Sequence, residues 1–181
     1  MKDEQESLRF PIGRFSYEGN PAKTQLEEWT KSIESLPQLL EKELSDFNDE
    51  MLDVAYRTDG WTARQVFHHI ADSHMNALIR FKLTLSEEVP VIKPYLEHKW
   101  ALQADMKMNP KVSVDLLKSL HQRWVVLIRS LGEEELNRRY SHPESGREFT
   151  LKEAIALYAW HGRHHMEHIR SVKRKFAKAK V

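Results

Sequence analysis

Apolar residues recur along this chain every three or four positions, the spacing that gathers them on one face of an α-helix. Four long segments carry the pattern. In the first, from about 22 to 47, Leu26, Trp29, Ile33, Leu36, Leu39 and Leu40 form the stripe. Pro37 falls inside it, and because proline has no N–H for the helical ladder a kink is expected there. The second, from about 62 to 87, follows the turn residues Asp59-Gly60 and opens on Thr62-Ala63-Arg64-Gln65, a capping box. The third, from about 113 to 131, has Ser113 as its expected N-cap and Gly132 just past its end. The fourth opens on a second capping box, Thr150-Leu151-Lys152-Glu153, and runs to about 175.

The six glycines and seven prolines fall mostly between these segments, so the chain reads as helices joined by loops. The arm 1–21, the linker 88–112 and the polar loop 140–149 lack the pattern and are expected to be irregular, with room for a short helix near Tyr95 to Ala104. The expectation is one all-α domain, 1–181, in which four amphipathic helices form a four-helix bundle with an N-terminal arm and a long crossover linker.

Composition narrows the chemistry. With no cysteine among 181 residues, disulfides, zinc–thiolate sites and cysteine nucleophiles are excluded, and a metal must be held by His, Asp or Glu. The net charge of +1 gives no whole-molecule reason for nucleic acid or an anionic membrane as partner. The basic run Lys173 to Lys180 suits a solvated helix end. The first residues have no apolar signal core and no run is long enough to span a bilayer, so a cytoplasmic protein is expected.

The most informative stretch is Tyr158-Ala159-Trp160-His161-Gly162-Arg163-His164-His165-Met166-Glu167-His168-Ile169. It offers two histidine pairs four apart, the helical spacing at which two imidazoles can bind one ion. With His161 at the origin of a helical wheel, the apolar stripe covers about 20° to 120°, His165 falls at about 40°, and His168 and His164 drift to about 340° and 300°. The inward pair is therefore His161 and His165. Two buried imidazoles without partners would be costly, which favours a metal over a helix that merely happens to be His-rich. On the second helix His68 counts to the polar face, while His69 at the stripe's edge and His74 inside it both remain candidates for a third ligand. His98, His121 and His142 are isolated and read as ordinary surface or core residues. Asp72, one turn from His69, is placed to orient a ligand rather than to act as base.

The words Asp59-Gly60-Trp61-Thr62-x-Arg64-Gln65-Val66-x-His68-His69-x-Ala71-Asp72-Ser73-His74-Met75-Asn76 and Leu157-Tyr158-x-Trp160-His161-x-x-His164-His165 resemble the DinB/YfiT-like superfamily, and within it the YfiT-type metal-dependent hydrolases of bacilli. The resemblance extends to Phe10-Pro11-Ile12-Gly13, to Ile79-Arg80-Phe81-Lys82-Leu83 and to Pro94-Tyr95 and Trp100. It implies an up-down-down-up bundle, a homodimer, and one divalent metal per subunit, zinc or nickel, bound by His69, His161 and His165. It thereby chooses His69 over His74, which geometry leaves open.

Three neutral imidazoles leave an ion with open positions, the arrangement of catalytic rather than structural zinc sites. Metal-activated water and hydrolysis of a small molecule follow as the first expectation. Metal-dependent transfer of a thiol such as bacillithiol is the rival, since the same open position would take a thiolate. A non-catalytic metal-binding stress-response module is the third reading. His161 is followed by Gly162 and Arg163, so the glutamate that zinc peptidases place beside their first histidine is missing. Arg80 and Asn76 are possible site neighbours; no catalytic base is named.

Overall fold

The computed structural model describes residues 2–178. Four long helices build it: α2 (Lys23–Leu44), α4 (Ala63–Ser86), α6 (Lys111–Ser130) and α8 (Leu151–Lys178). Short helices α1 (Lys2–Arg9), α3 (Asp49–Leu52), α5 (Glu97–Trp100) and α7 (Glu133–Leu136) lie between or before them, with a 3-10 turn at Ala104–Lys107. α2 and α4 each pack on both α6 and α8, so consecutive helices α2 and α4 sit on a diagonal.

Side-chain pairs give the directions. His68 meets Ser113 and His74 meets His121, so α4 and α6 run parallel. Leu36 meets Gly162 and Glu43 meets Arg170, so α2 and α8 also run parallel. His69 faces His165 while Arg80 reaches Tyr158, so α4 and α8 are antiparallel. The bundle is up-down-down-up.

The local signals explain most boundaries. Thr62 Oγ1 accepts the Gln65 N–H at 3.2 Å and Gln65 Oε1 accepts the Thr62 N–H at 2.9 Å, the full capping box. The Gln65 amide also donates to the Ala101 carbonyl at 2.7 Å, tying the linker to the start of α4. Thr150 caps α8 through the Glu153 N–H at 3.1 Å, but the Glu153 carboxylate turns to Arg147 at 2.8 Å instead of closing a box. α2 continues through Pro37, which is buried.

Three expectations are corrected. Ser113 is not a cap, because α6 begins at Lys111 after Pro110 and the Ser113 hydroxyl is spent on His68 at 2.7 Å. The arm holds α1 rather than being irregular throughout. The linker holds the short helix expected near Tyr95 to Ala104, α5, and after it the 3-10 turn. The polar loop is a hairpin, β1 (Arg139–His142) pairing antiparallel with β2 (Arg147–Thr150), in which Tyr140 and Phe149 stack at 5.6 Å and are buried, so the fold is helical apart from this ribbon. The Ile92 N–H donates to Ser141 at 3.0 Å and pins the linker's entry to the hairpin. Within the basic run, Lys173 pairs with Glu43 and Asp46 of the α2 end, while Lys180 lies outside the described residues. No helix among the described residues is long and apolar enough to cross a membrane.

The core is split. One apolar cluster gathers Phe81, Trp124, Ile128, Ile155 and Tyr158; the other gathers Leu40, Phe67, Ile70, Leu117 and Ile169. Between them, in the middle of three helices, lie His74, His121 and His161. At Gly162, α8 passes close to α2: a Cβ there would stand 2.6 Å from Leu36 Cδ2. Gly162→Val is expected to lower stability by about 1–3 kcal/mol through overpacking, although it removes a glycine from a helix interior. Urea unfolding would show this as a lower midpoint; an unchanged midpoint would mean that Leu36 swings clear.

Candidate metal centre

α4 and α8, antiparallel, present His69, His161 and His165 to one another. One ring nitrogen from each lies within 4.8 Å of the others. His69 Nε2 and His161 Nε2 are 3.2 Å apart, and the His165 ring sits 4.7 Å from the His69 ring and 4.5 Å from the His161 ring, edge-on to both. The i, i+4 spacing on α8 supplies the latter pair. The capped start of α4, with Trp61 packed against the His69 ring at 4.6 Å, sets the third.

The donor set fits a metal. Ligand nitrogens on a tetrahedral ion with bonds of about 2.0–2.1 Å stand roughly 3.3–3.4 Å apart, close to the observed Nε2 pair. Burial, and then the neighbouring imidazoles, hold His161 and His165 well below the usual histidine range. His69 is pushed down to about 4, by burial first and His164 second. All three are therefore neutral at physiological pH, the state in which imidazole binds metal. An all-imidazole set suits zinc, nickel, copper or iron rather than magnesium or calcium.

The remaining histidines fall into place around this group. His74, fully buried, sets Nε2 3.2 Å from His161 Nδ1 and Nδ1 2.9 Å from His121 Nε2. It is a neighbour of the triad rather than a member. His68 points away, but it is buried and not solvent-facing as its wheel position predicts: it accepts from Ser113 and donates Nε2–H to the Met108 carbonyl at 3.1 Å. His164 and His168 are also buried, contrary to their drift toward the polar face, because Phe10 lies against His164 while the end of α1 and Tyr56 lie against His168. Trp160 stacks on His164 at 4.4 Å and Tyr56 on His168 at 3.9 Å. His164, His165 and His168 form a second close group of ring nitrogens, sharing His165 with the first.

The triad opens on a cavity of about 430 Å³ whose wall includes Trp61, Ser73, Arg80, Tyr95, His142 and Tyr158. Glu97, His98 and Glu144 stand on the same wall. The Arg80 guanidinium donates to the Tyr158 hydroxyl at 3.2 Å, and its Nε has no hydrogen-bond partner among the described residues, nor has His142 Nδ1. A larger cleft, about 510 Å³, lies across α4 near Arg64, which Asp49 and Asp53 already neutralise. Asn76 does not line the triad's cavity; its amide donates to the Asp72 carbonyl at 2.8 Å. Asp72 does not line it either. Its carboxyl is pushed up to about 6, by burial first and by Asp105 of the 3-10 turn second. Glu167 faces outward and pairs with Arg174 at 2.6 Å.

In the sequence His98, His121 and His142 stand isolated, whereas the fold brings His98 and His142 to the cavity and His121 to the ring behind the triad. The one signal available for His121 was its place on the apolar face of the third helix, where an unpaired imidazole would need a buried partner.

Comparisons with known proteins agree with this picture. A protein of Bacillus cereus (strain 03BB102) named "putative metal-dependent hydrolase" is 50% identical over 168 residues, covering 93% of this chain and 96% of the relative. A like-named protein of Bacillus mycoides (strain KBAB4) is 49% identical over 175 residues, 97% of this chain and 98% of its own. Among solved structures, YfiT from Bacillus subtilis, described as "a probable metal-dependent hydrolase with an unusual four-helix bundle topology", superposes with a TM-score of 0.92 at 41% identity, covering 94% of this chain and 98% of that one. The DinB superfamily model matches residues 32–169, a span that holds all four bundle helices in whole or large part and every histidine of the triad, and the chain belongs to that superfamily.

Proposed function

We propose that the protein is a metal-dependent hydrolase in which His69, His161 and His165 hold one divalent ion, zinc or nickel, beside the cavity. The observation that carries this reading is the convergence of three neutral imidazoles, His69 and His165 buried and His161 half-buried, on a cavity wall. A divalent ion held by three imidazoles lowers the pKa of a bound water from ~16 toward ~7 and polarises a carbonyl or phosphoryl oxygen.

The chain's own groups do the rest. Arg80 places a positive charge on the cavity wall, where a substrate oxygen or carboxylate can meet it. Ser73, Tyr95 and Tyr158 set hydroxyl groups on that same wall. Glu97, His98, His142 and Glu144 are the cavity's remaining protonatable groups and would accept the proton released from water.

His69→Ala and His165→Ala are each expected to lose the bound ion, read by elemental analysis, and with it cleavage of ester, amide and phosphoester probes; His164→Ala is expected to keep both. Retained metal in His69→Ala with loss in His74→Ala would reverse the assignment on α4. Consumption of a low-molecular-weight thiol only with an electrophile, in place of probe cleavage, would turn the reaction to S-transfer. Arg80→Met should keep the ion and raise KM by about tenfold, the effect of losing roughly 1.4 kcal/mol of substrate binding; an unchanged KM would remove Arg80 from substrate recognition.

The buried imidazoles also set the acid response. His69, His121 and His164 titrate at about 4 in the folded chain against about 6.5 when unfolded. Between those values the unfolded state binds more protons, so stability is present above about pH 6.5 and is lost as pH falls toward 4, by about 1.4 kcal/mol per pH unit for each proton of difference. Thermal melts of the metal-free protein should show Tm dropping through that window; a flat Tm from pH 7 to 4.5 would contradict the burial of these rings.

A further inference from the structure

Three histidines outside the triad continue it back into the protein along two lines of hydrogen bonds. In the first, His121 Nδ1 lies 2.6 Å from the Ile33 carbonyl. A carbonyl only accepts, so Nδ1 carries the proton, and in a neutral ring Nε2 is left as acceptor. His74 Nδ1, 2.9 Å from that nitrogen, must then donate to it. His74 Nε2 is in turn the acceptor facing His161 Nδ1 at 3.2 Å. His161 therefore keeps its proton on Nδ1, and its Nε2, the atom that faces His69, is a bare lone pair.

The second line repeats the logic on the other α8 ligand. His168 Nε2 faces the Arg9 carbonyl at 3.3 Å and must donate. Its Nδ1 is then the acceptor for His165 Nδ1 at 3.3 Å. His165 is thereby left with a bare Nε2, and the Tyr56 ring stacked on His168 at 3.9 Å fixes the plane of the relay.

Both lines end on main-chain carbonyls that the helices have released. Ile33 lies four residues before Pro37, and its carbonyl would normally accept the N–H that proline lacks. Arg9 is the last residue of α1, where carbonyls have no partner within the helix.

We propose that His74 with His121, and His168 on its own, are positioning residues that fix His161 and His165 as Nε2 donors before any metal arrives, and that Pro37 and the end of α1 supply the acceptors anchoring them. The proposal rests on His161 and His165 being metal ligands. It also accounts for the second histidine group without a second metal: the nitrogen His168 turns toward His165 is already engaged by a proton.

The test has two parts, read separately. In metal-free protein labelled with ¹⁵N-histidine, long-range ¹H–¹⁵N correlation should show His74, His121, His161 and His165 protonated on Nδ1 and His168 on Nε2. An Nε2–H form of His161 or His165 would overturn the relay whether or not zinc binds. Zinc affinity is then measured by chelator competition. His168→Leu and His121→Leu should each weaken it by about 10- to 100-fold, the usual effect of losing the partner of a ligating imidazole. His168→Gln, whose amide can donate to Arg9 and accept from His165, should recover most of the loss. Pro37→Ala, which gives the Ile33 carbonyl a competing N–H, should weaken zinc binding and add little to His121→Leu. Affinities within twofold of wild type in folded His168→Leu and His121→Leu would sink the proposal, as would a second zinc ion lost with His168. A wild-type protein that binds neither zinc nor nickel would instead refute the triad as a site for these ions, while the tautomer pattern would still stand or fall by itself.

Discussion

An imidazole removed from water calls for an acceptor for its N–H and a donor or a metal for its lone pair, because an unpaired buried polar group costs more than one hydrogen bond contributes. Among the described residues seven such rings are buried near the middle of a helical bundle, His68, His69, His74, His121, His164, His165 and His168, with His161 half-buried beside them; of these only His164 keeps a buried nitrogen, Nδ1, without a hydrogen-bond partner. Their requirements organise the centre of the fold. Histidines part the apolar core into two clusters, α4 and α6 must run parallel at a register that joins 74 to 121, and two carbonyls must be free in helices that would otherwise consume them. Packing of Leu, Phe and Trp side chains on either side supplies the stability that lets the middle of the molecule be polar.

The four long helices were legible because each carries the period of its buried stripe together with caps that act locally. Thr62 with Gln65, and Thr150 with the Glu153 N–H, need nothing outside their own first turn. The parts that sequence reasoning misread depend on distant residues. Ser113 looks like a cap until His68, forty-five positions away, takes its hydroxyl. The hairpin at 139–150 has polar turn residues and only Tyr140 and Phe149 to bury, too few to show a strand period.

The site divides in the same way. His161 and His165 follow from an angular count on one helix. His69 could not be separated from His74 by that count, since both line the α4 face that meets α8; what differs is the direction of approach, His69 meeting the Nε2 side of His161 and His74 the Nδ1 side. A wheel that knows one helix at a time places His164 and His168 toward solvent, and they are buried because Phe10 on the one, and the end of α1 with Tyr56 on the other, come from elsewhere in the chain to cover them.

Pro37 shows how a residue that looks like a flaw in one element can serve another. Within α2 alone it removes a hydrogen bond and leaves the Ile33 carbonyl facing the bundle interior. A carbonyl in that position without a donor would be costly, and a histidine without a fixed acceptor could adopt either tautomer. Joined at 2.6 Å, the two defects cancel. The same holds at the end of α1, where a carbonyl left over by helix termination meets His168. The geometry of the two α8 ligands thus depends on interruptions in two other helices, and the regular parts of those helices hold the interruptions in place. On α4, by contrast, His69 is set by packing against Trp61, so the triad combines two ligands oriented by hydrogen bonds with one oriented by an aromatic wall that also borders the cavity.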